Sequence, residues 1–196
     1  MITTITFVRH GTTLWMEEGR IHGKLDAPLS QNGIEEVVKR SGVLLNNHYD
    51  CFYSSPTGRA LQTAQIIARQ LNMQVTPLQG LEELDFGDLE GLLKELVAEQ
   101  INSKRKPFSG LLKPFGKKGE TLFHLFLRCR KVLSEIIRAH RGESILVVSH
   151  GIFINMAVRI LTKKYFMYFD LQPVGIVCLQ VNQLGFGRII STHNEN

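Results

Sequence analysis

The spacing of apolar positions changes several times along the chain. Residues 3–9 (Thr-Thr-Ile-Thr-Phe-Val-Arg) are rich in β-branched side chains and stop at His10-Gly11, which predicts a strand. Residues 50–54 and 74–77 are shorter runs of the same kind. Residues 144–149 (Ser-Ile-Leu-Val-Val-Ser) form an apolar run suited to a central parallel position. Between the strands the period lengthens. Leu122, Leu125, Phe126, Cys129, Val132, Leu133, Ile136 and Ile137 recur at three and four, predicting a helix over 120–140. Ser30 is a predicted N-cap for a helix reaching Asn47. Ser55-Pro56 reads as a cap with proline in the first turn of a helix reaching Leu71. A further helix is predicted over 151–162, then two strands, 174–182 and 186–193, joined by a Leu-Gly turn.

Strands alternating with helices predict a three-layer α/β sandwich whose central sheet is mostly parallel, with antiparallel edge strands supplied by the closing hairpin. Residues 11–29 and 78–91 carry several glycines each and read as loops. The segment 92–118 holds seven Lys/Arg against Glu95 and Glu99 and includes Pro107 and Pro114. It reads as a short helix followed by an irregular excursion, a cap inserted in a single domain of 1–196.

At 196 residues the chain can bury roughly 70% of its unfolded surface without a metal or disulfide staple. With 43% hydrophobic and 21% charged residues, a disordered or collagen-like chain is excluded. No apolar run approaches the ~20 residues of a membrane span. The start shows no basic region followed by an apolar one, so a cytoplasmic location is expected. Cys51, Cys129 and Cys178 are odd in number, far apart and set among apolar residues, as expected of thiols in a reducing compartment. A net charge of +5 points to an anionic partner. Nucleic acid is not expected: only Phe108 and Phe115 could stack in the basic segment, and no recognition motif is present.

Two segments echo each other, Phe7-Val8-Arg9-His10-Gly11 and Val147-Val148-Ser149-His150-Gly151. Each places His-Gly where a buried strand ends, and open α/β sheets bind ligands outside those carboxyl ends. Arg9 precedes the first histidine, and Arg59 falls in the first turn of the helix after the second strand. Arginine forks suit phosphate oxygens. Positive charge around imidazole disfavours a metal ion and keeps the ring neutral, hence nucleophilic. Glu82, Glu83 and Asp85 offer carboxylates as proton donors for a leaving oxygen.

Together these segments resemble the histidine phosphatase superfamily, the phosphoglycerate-mutase-like group. Arg9-His10-Gly11-Thr12-Thr13 is similar to its first signature, and Leu29-Ser30-x-x-Gly33 to the element opening its first helix. Ser54-Ser55-Pro56-x-x-Arg59-Ala60-x-Gln62-Thr63-Ala64 resembles its second motif, and Leu81-x-Glu83-x-x-Phe86-Gly87-x-x-Glu90-Gly91 its acid loop. Gly119-Glu120-Thr121 stands where Gly-Glu-Ser is usual, and Ser149-His150-Gly151 resembles the last motif. The blocks occur in family order across roughly residues 5–182.

The resemblance implies that His10 is a nucleophile forming phosphohistidine, with Arg9, Arg59 and His150 on the phosphoryl oxygens. Glu83, rather than Glu82 or Asp85, would protonate the leaving alkoxide and then activate water. Thr13, the Gly23 backbone and Gly151 would line the phosphate pocket. No metal and no cofactor are implied. The partner would be a small phosphorylated substrate, with no nucleic acid or membrane, and the protein a monomer or homodimer. The implied activity is a phosphatase of the kind that includes α-ribazole and broad-specificity phosphatases. A mutase-type transferase and an impaired phospho-ligand-binding protein are the alternatives. One position departs from the pattern: the usual phosphate-binding asparagine is replaced by Met16, which cannot donate a hydrogen bond.

Overall fold

The computed structural model describes residues 1–98 and 109–194. Within them one sheet contains six strands: β1 (Ile2–Arg9), β2 (Cys51–Ser54), β3 (Thr76–Pro77), β4 (Ser144–Ser149), β5 (Ile176–Asn182) and β6 (Gly187–His193). The order is β3-β2-β4-β1-β5-β6. The first four run parallel, β5 is antiparallel to β1, and β6 is antiparallel to β5. The wholly apolar run, β4, lies between β1 and β2, as a strand covered on both faces must.

The helices are α1 (Leu14–Glu17), α2 (Gln31–Arg40), α3 (Gly58–Leu71), α4 (described over 94–98), α5 (Ser109–Leu112), α6 (Leu122–Ala139) and α7 (Gly151–Thr162). Successive strand residues face opposite sides. Ile5, Phe7, Ile145 and Val147 join α6 and α7 in one core, whereas Val8, Leu146 and Val148 join α2 and α3 in the other. The expected three-layer α/β sandwich is thus the observed fold.

Several boundaries differ from the sequence pattern, for local reasons. The helix expected to reach Asn47 ends at Arg40 and tightens to a 3₁₀ turn over Ser41–Asn46. There Ser41 Oγ donates back to the Val37 carbonyl at 2.5 Å, competing with the backbone ladder. The helix expected at Ser55-Pro56 begins at Gly58, because Thr57 is the N-cap residue and the Ser55 hydroxyl is engaged elsewhere. The loop of 11–29 contains α1, capped by Thr13. The excursion at 92–118 contains α4 and α5, while Lys104, Arg105 and Lys106 fall outside the described residues. No described helix is long and apolar enough to cross a membrane.

Candidate active site

β1 and β4 are parallel neighbours with Arg9 opposite Ser149. This register delivers His10 and His150 side by side at the carboxyl end of the sheet. Their ring centroids are 5.1 Å apart and their planes meet at 63°.

The hydrogen bonds of His10 fix its tautomer. Nδ1 lies 2.8 Å from the Gly11 carbonyl oxygen, which can only accept, so Nδ1 carries the proton. Nε2 is left with its lone pair and accepts from Arg59 Nε at 3.3 Å. Burial first, then Arg59 and Arg9, hold the ring's pKa well below the usual histidine value. The expected neutral imidazole is therefore present, with desolvation rather than arginine charge as the larger cause.

Arg59 is fully buried, and each of its three nitrogens has a partner. It donates to the carbonyls of Gly23 (2.6 Å) and Leu25 (3.0 Å) and to Asp26 Oδ1 (3.0 Å). Arg9 donates from Nη1 to the Leu171 carbonyl at 2.6 Å. Two buried side-chain atoms lack a partner among the described residues: Arg9 Nε and His150 Nδ1. Leaving such a group unpaired costs about 1–3 kcal/mol. His150 Nε2 meets Ser55 Oγ at 2.9 Å and Thr57 Oγ1 at 3.2 Å, so the start of the second motif orients the second histidine.

Glu83 reaches the same place from the acid loop. Its Oε1 accepts from the N–H groups of Leu84 and Phe153, each at 3.0 Å, and its Oε2 from Ile152 N–H at 3.1 Å. It thus occupies the N-terminus of α7, where His150, the N-cap residue, offers no side-chain bond. Two further contacts pin the loop. Ser149 Oγ donates to the Leu81 carbonyl at 2.7 Å. Arg128 donates to the carbonyls of Gly80, Glu82 and Glu83 and pairs with Glu120 at 2.7 Å. This gives the Gly119-Glu120-Thr121 block its physical role: Glu120 holds the arginine that holds the acid loop. Glu82 and Asp85 are turned to Gly80 N–H and Gly87 N–H.

A cavity of about 480 Å³ opens over these groups, lined by Arg9, His10, Arg59, Glu83 and Gly151. Thr13 and Gly23 stand behind that lining. Thr13 caps α1 and meets His22 Nε2 at 2.8 Å, and the Gly23 carbonyl accepts from Arg59. A Cβ on Gly23 would fall 1.8 Å from Glu90 Oε1, so glycine is required there by packing. Gly11 likewise accommodates α2: a Cβ would meet Val37 at 2.7 Å. Ile152 lines the cavity, as an apolar rim after His150-Gly151 implies, but Phe153 is fully buried in the core. Met16, the departure from the family pattern, lies in the cavity wall.

His22, Lys94 and Arg159 also line the cavity and carried no motif signal. His22 is visible only once the loop of 11–29 is folded, its ring 6.4 Å from that of His10. Burial, followed by Arg59 and Lys94, lowers its pKa to about 3. Among the described residues, the cluster with metal-ligand spacing is Cys51, His140 and Glu143. It sits at the opposite, amino-terminal end of the parallel strands.

A "Phosphoglycerate mutase-like protein 4" from Arabidopsis thaliana is 35% identical over 75% of this chain and 66% of its own, so this chain spans just under two thirds of that relative. "Phosphoserine phosphatase 1" from Hydrogenobacter thermophilus is 32% identical, over 76% of this chain and 71% of its own. A phosphoserine phosphatase variant from Entamoeba histolytica, crystallised with phosphoserine, superposes with a TM-score of 0.84 at 29% identity, covering 98% of this chain and 97% of its own. The pattern of the Histidine phosphatase superfamily (branch 1) matches residues 5–188, and the chain belongs to that family.

Proposed function

We propose that this phosphatase is a metal-independent phosphomonoester hydrolase working through phosphohistidine on a small anionic phosphorylated metabolite. The observation that carries the reading is the His10 tautomer: with its proton held on Nδ1 by Gly11, Nε2 carries a lone pair at the cavity wall, which accepts from Arg59 Nε at 3.3 Å and exchanges that bond for phosphorus when the substrate is attacked.

Nε2 attacks phosphorus in line as the ester P–O bond breaks. Arg9 Nε and His150 Nδ1, the two unpartnered buried atoms, supply bonds to the phosphoryl oxygens. With the Ser55 hydroxyl donating to His150 Nε2, the His150 proton resides on Nδ1, the donor this ring can offer the anion, although His150 is fully buried and lies behind the residues that line the cavity. Glu83, protonated on Oε2 beside its bond from the Ile152 N–H, gives that proton to the leaving alkoxide. It then takes a proton from water, whose oxygen attacks phosphorus, breaks the N–P bond and frees phosphate and His10. The arginines provide the positive charge that Mg²⁺ provides in other phosphoryl transfers.

The test is hydrolysis of p-nitrophenyl phosphate in the presence of chelator, with trapping of acid-labile phosphohistidine on the His10 peptide. Loss of activity in chelator, restored by Mg²⁺ or Zn²⁺, or turnover without a labelled His10 peptide, overturns the reading. Transfer of the phosphoryl group to a second hydroxyl in place of water would mark a mutase, and bound phosphate without turnover a binding protein.

A further inference from the structure

The cavity is larger than a phosphoryl group requires, and its far part has a definite chemistry. Helix α7 runs along it. Ile152, Asn155, Met156 and Arg159 fall at positions i, i+3, i+4 and i+7 of one helical face, and all four line the cavity. The helix therefore acts as a ruler. At its N-terminus are Glu83 and Gly151, beside the Arg9 guanidinium. One turn on, Ile152 and Met156 present apolar surface. Arg159 lies eight residues from Gly151, about 12 Å along the axis at a helical rise of ~1.5 Å per residue, and its side chain leans back toward the N-terminus.

Arg159 is fixed but not neutralised. Its Nε donates to the Met167 carbonyl at 2.5 Å, which orients the guanidinium, and no carboxylate lies within ion-pair distance among the described residues. Asp170, also in the lining, accepts instead from Gln172 Nε2 at 2.9 Å. Lys94 comes to the cavity from α4 on the side of His22, whose pKa it helps to lower, and so belongs to the phosphoryl end. With Arg9 and Arg59 also at that end, Arg159 is, among the described residues, the cation left over beyond the apolar stretch.

Resting on the hydrolase reading above, we infer that the substrate is a phosphomonoester with an apolar body and a second anionic group at its far end, read by Arg159. A phosphate on Arg9 and His10 places the body against Ile152 and Met156 and brings a distal carboxylate to the Arg159 fork, which matches that group in two-pronged fashion.

The probes are 3-(4-phosphonooxyphenyl)propanoate and its neutral amide, which share phosphate, ring and length. Wild-type protein is expected to hydrolyse the acid with kcat/KM roughly tenfold above the amide, the discrimination given by a charge-assisted hydrogen bond. Arg159→Gln should bring that ratio close to one, whereas Lys94→Gln, at the His22 end, should leave it unchanged. The ratio is independent of how much folded enzyme each preparation contains. Equal rates on acid and amide in the wild type, or a preference surviving Arg159→Gln, overturn the inference. Failure of wild type to hydrolyse p-nitrophenyl phosphate would instead overturn the hydrolase reading.

Discussion

Arg59 donates its Nε–H to Nε2 of His10 across 3.3 Å, so a buried cation is aimed at the lone pair of the proposed nucleophile. The same guanidinium bonds the carbonyls of Gly23 and Leu25 and the carboxylate of Asp26, and is the peg on which the 23–26 loop hangs. On the proposed mechanism it is a catalytic group as well. Arg59→Met should lower kcat by 10²–10³, the range seen on removing one transition-state donor. It should also lower the melting temperature, because Asp26 and two carbonyls lose their partner; thermal unfolding measured alongside kcat checks both. Full activity in Arg59→Met would remove the residue from the chemistry.

Glu83 offers a sharper test of role. Both its oxygens accept backbone N–H bonds, so Glu83→Gln sets an amide NH₂ against donors at the start of α7 and costs about 0.5–2 kcal/mol, as a lost helix cap does. That loss is common to every substrate. A proton donor matters most for a poor leaving group, so the substitution should slow an alkyl phosphate far more than p-nitrophenyl phosphate. Equal slowing of both would leave Glu83 as a cap alone.

The histidines of the site make stability depend on pH. Burial is the largest cause holding the pKa of His10 and His150 well below the usual histidine value. An unfolded histidine takes up its proton below pH ~6.5, whereas these folded ones do so only at lower pH. Stability is therefore fully present above pH ~6.5 and is lost as pH falls below it, by up to about 1.4 kcal/mol per pH unit for each ring. His22, lowered to about 3, adds a third ring, so urea unfolding at pH 7.5 and 5.5 should differ by about 3–4 kcal/mol, and His10→Gln should take away about a third of that difference. An unfolding free energy unchanged between the two pH values would contradict the buried neutral state.

The elements that carry the histidines were readable because their signals are local. β1 and β4 announce themselves by apolar runs, and each ends at His-Gly. What joins the site was not readable. Glu83 meets N–H groups 69 and 70 residues away, and Arg128 reaches the acid loop from 45 or more residues along the chain. Backbone donors carry no residue signature, so a carboxylate held by them looks like any solvated glutamate. Arg128 lies on the polar side of an amphipathic helix, where arginine is unremarkable in pattern. The resemblance puts the Gly23 backbone in the phosphate pocket, yet its carbonyl holds Arg59 and its missing Cβ makes room for Glu90.

Met16 and His22 form the last relationship with a measurable consequence. Both line the cavity, and Met16 stands where the family resemblance implies an asparagine donating to phosphate. Thr13 Oγ1 is buried and accepts from Met16 N–H at 3.2 Å, so its own proton needs an acceptor. The acceptor at hand is His22 Nε2, 2.8 Å away. That bond puts the His22 proton on Nδ1, and with a pKa near 3 the ring is neutral at physiological pH. His22 then offers one N–H donor at the cavity wall, which methionine cannot. If that donor does the work of the absent asparagine, His22→Phe should raise KM for phosphomonoesters and weaken inhibition by inorganic phosphate, by about fivefold to tenfold for one neutral hydrogen bond. Met16→Asn should tighten phosphate modestly in the wild-type background and much more in His22→Phe, because only there is the donor missing. Phosphate inhibition constants for the four proteins of this cycle measure the coupling. Effects that add within about 0.3–0.5 kcal/mol would show that the two side chains do not share a task.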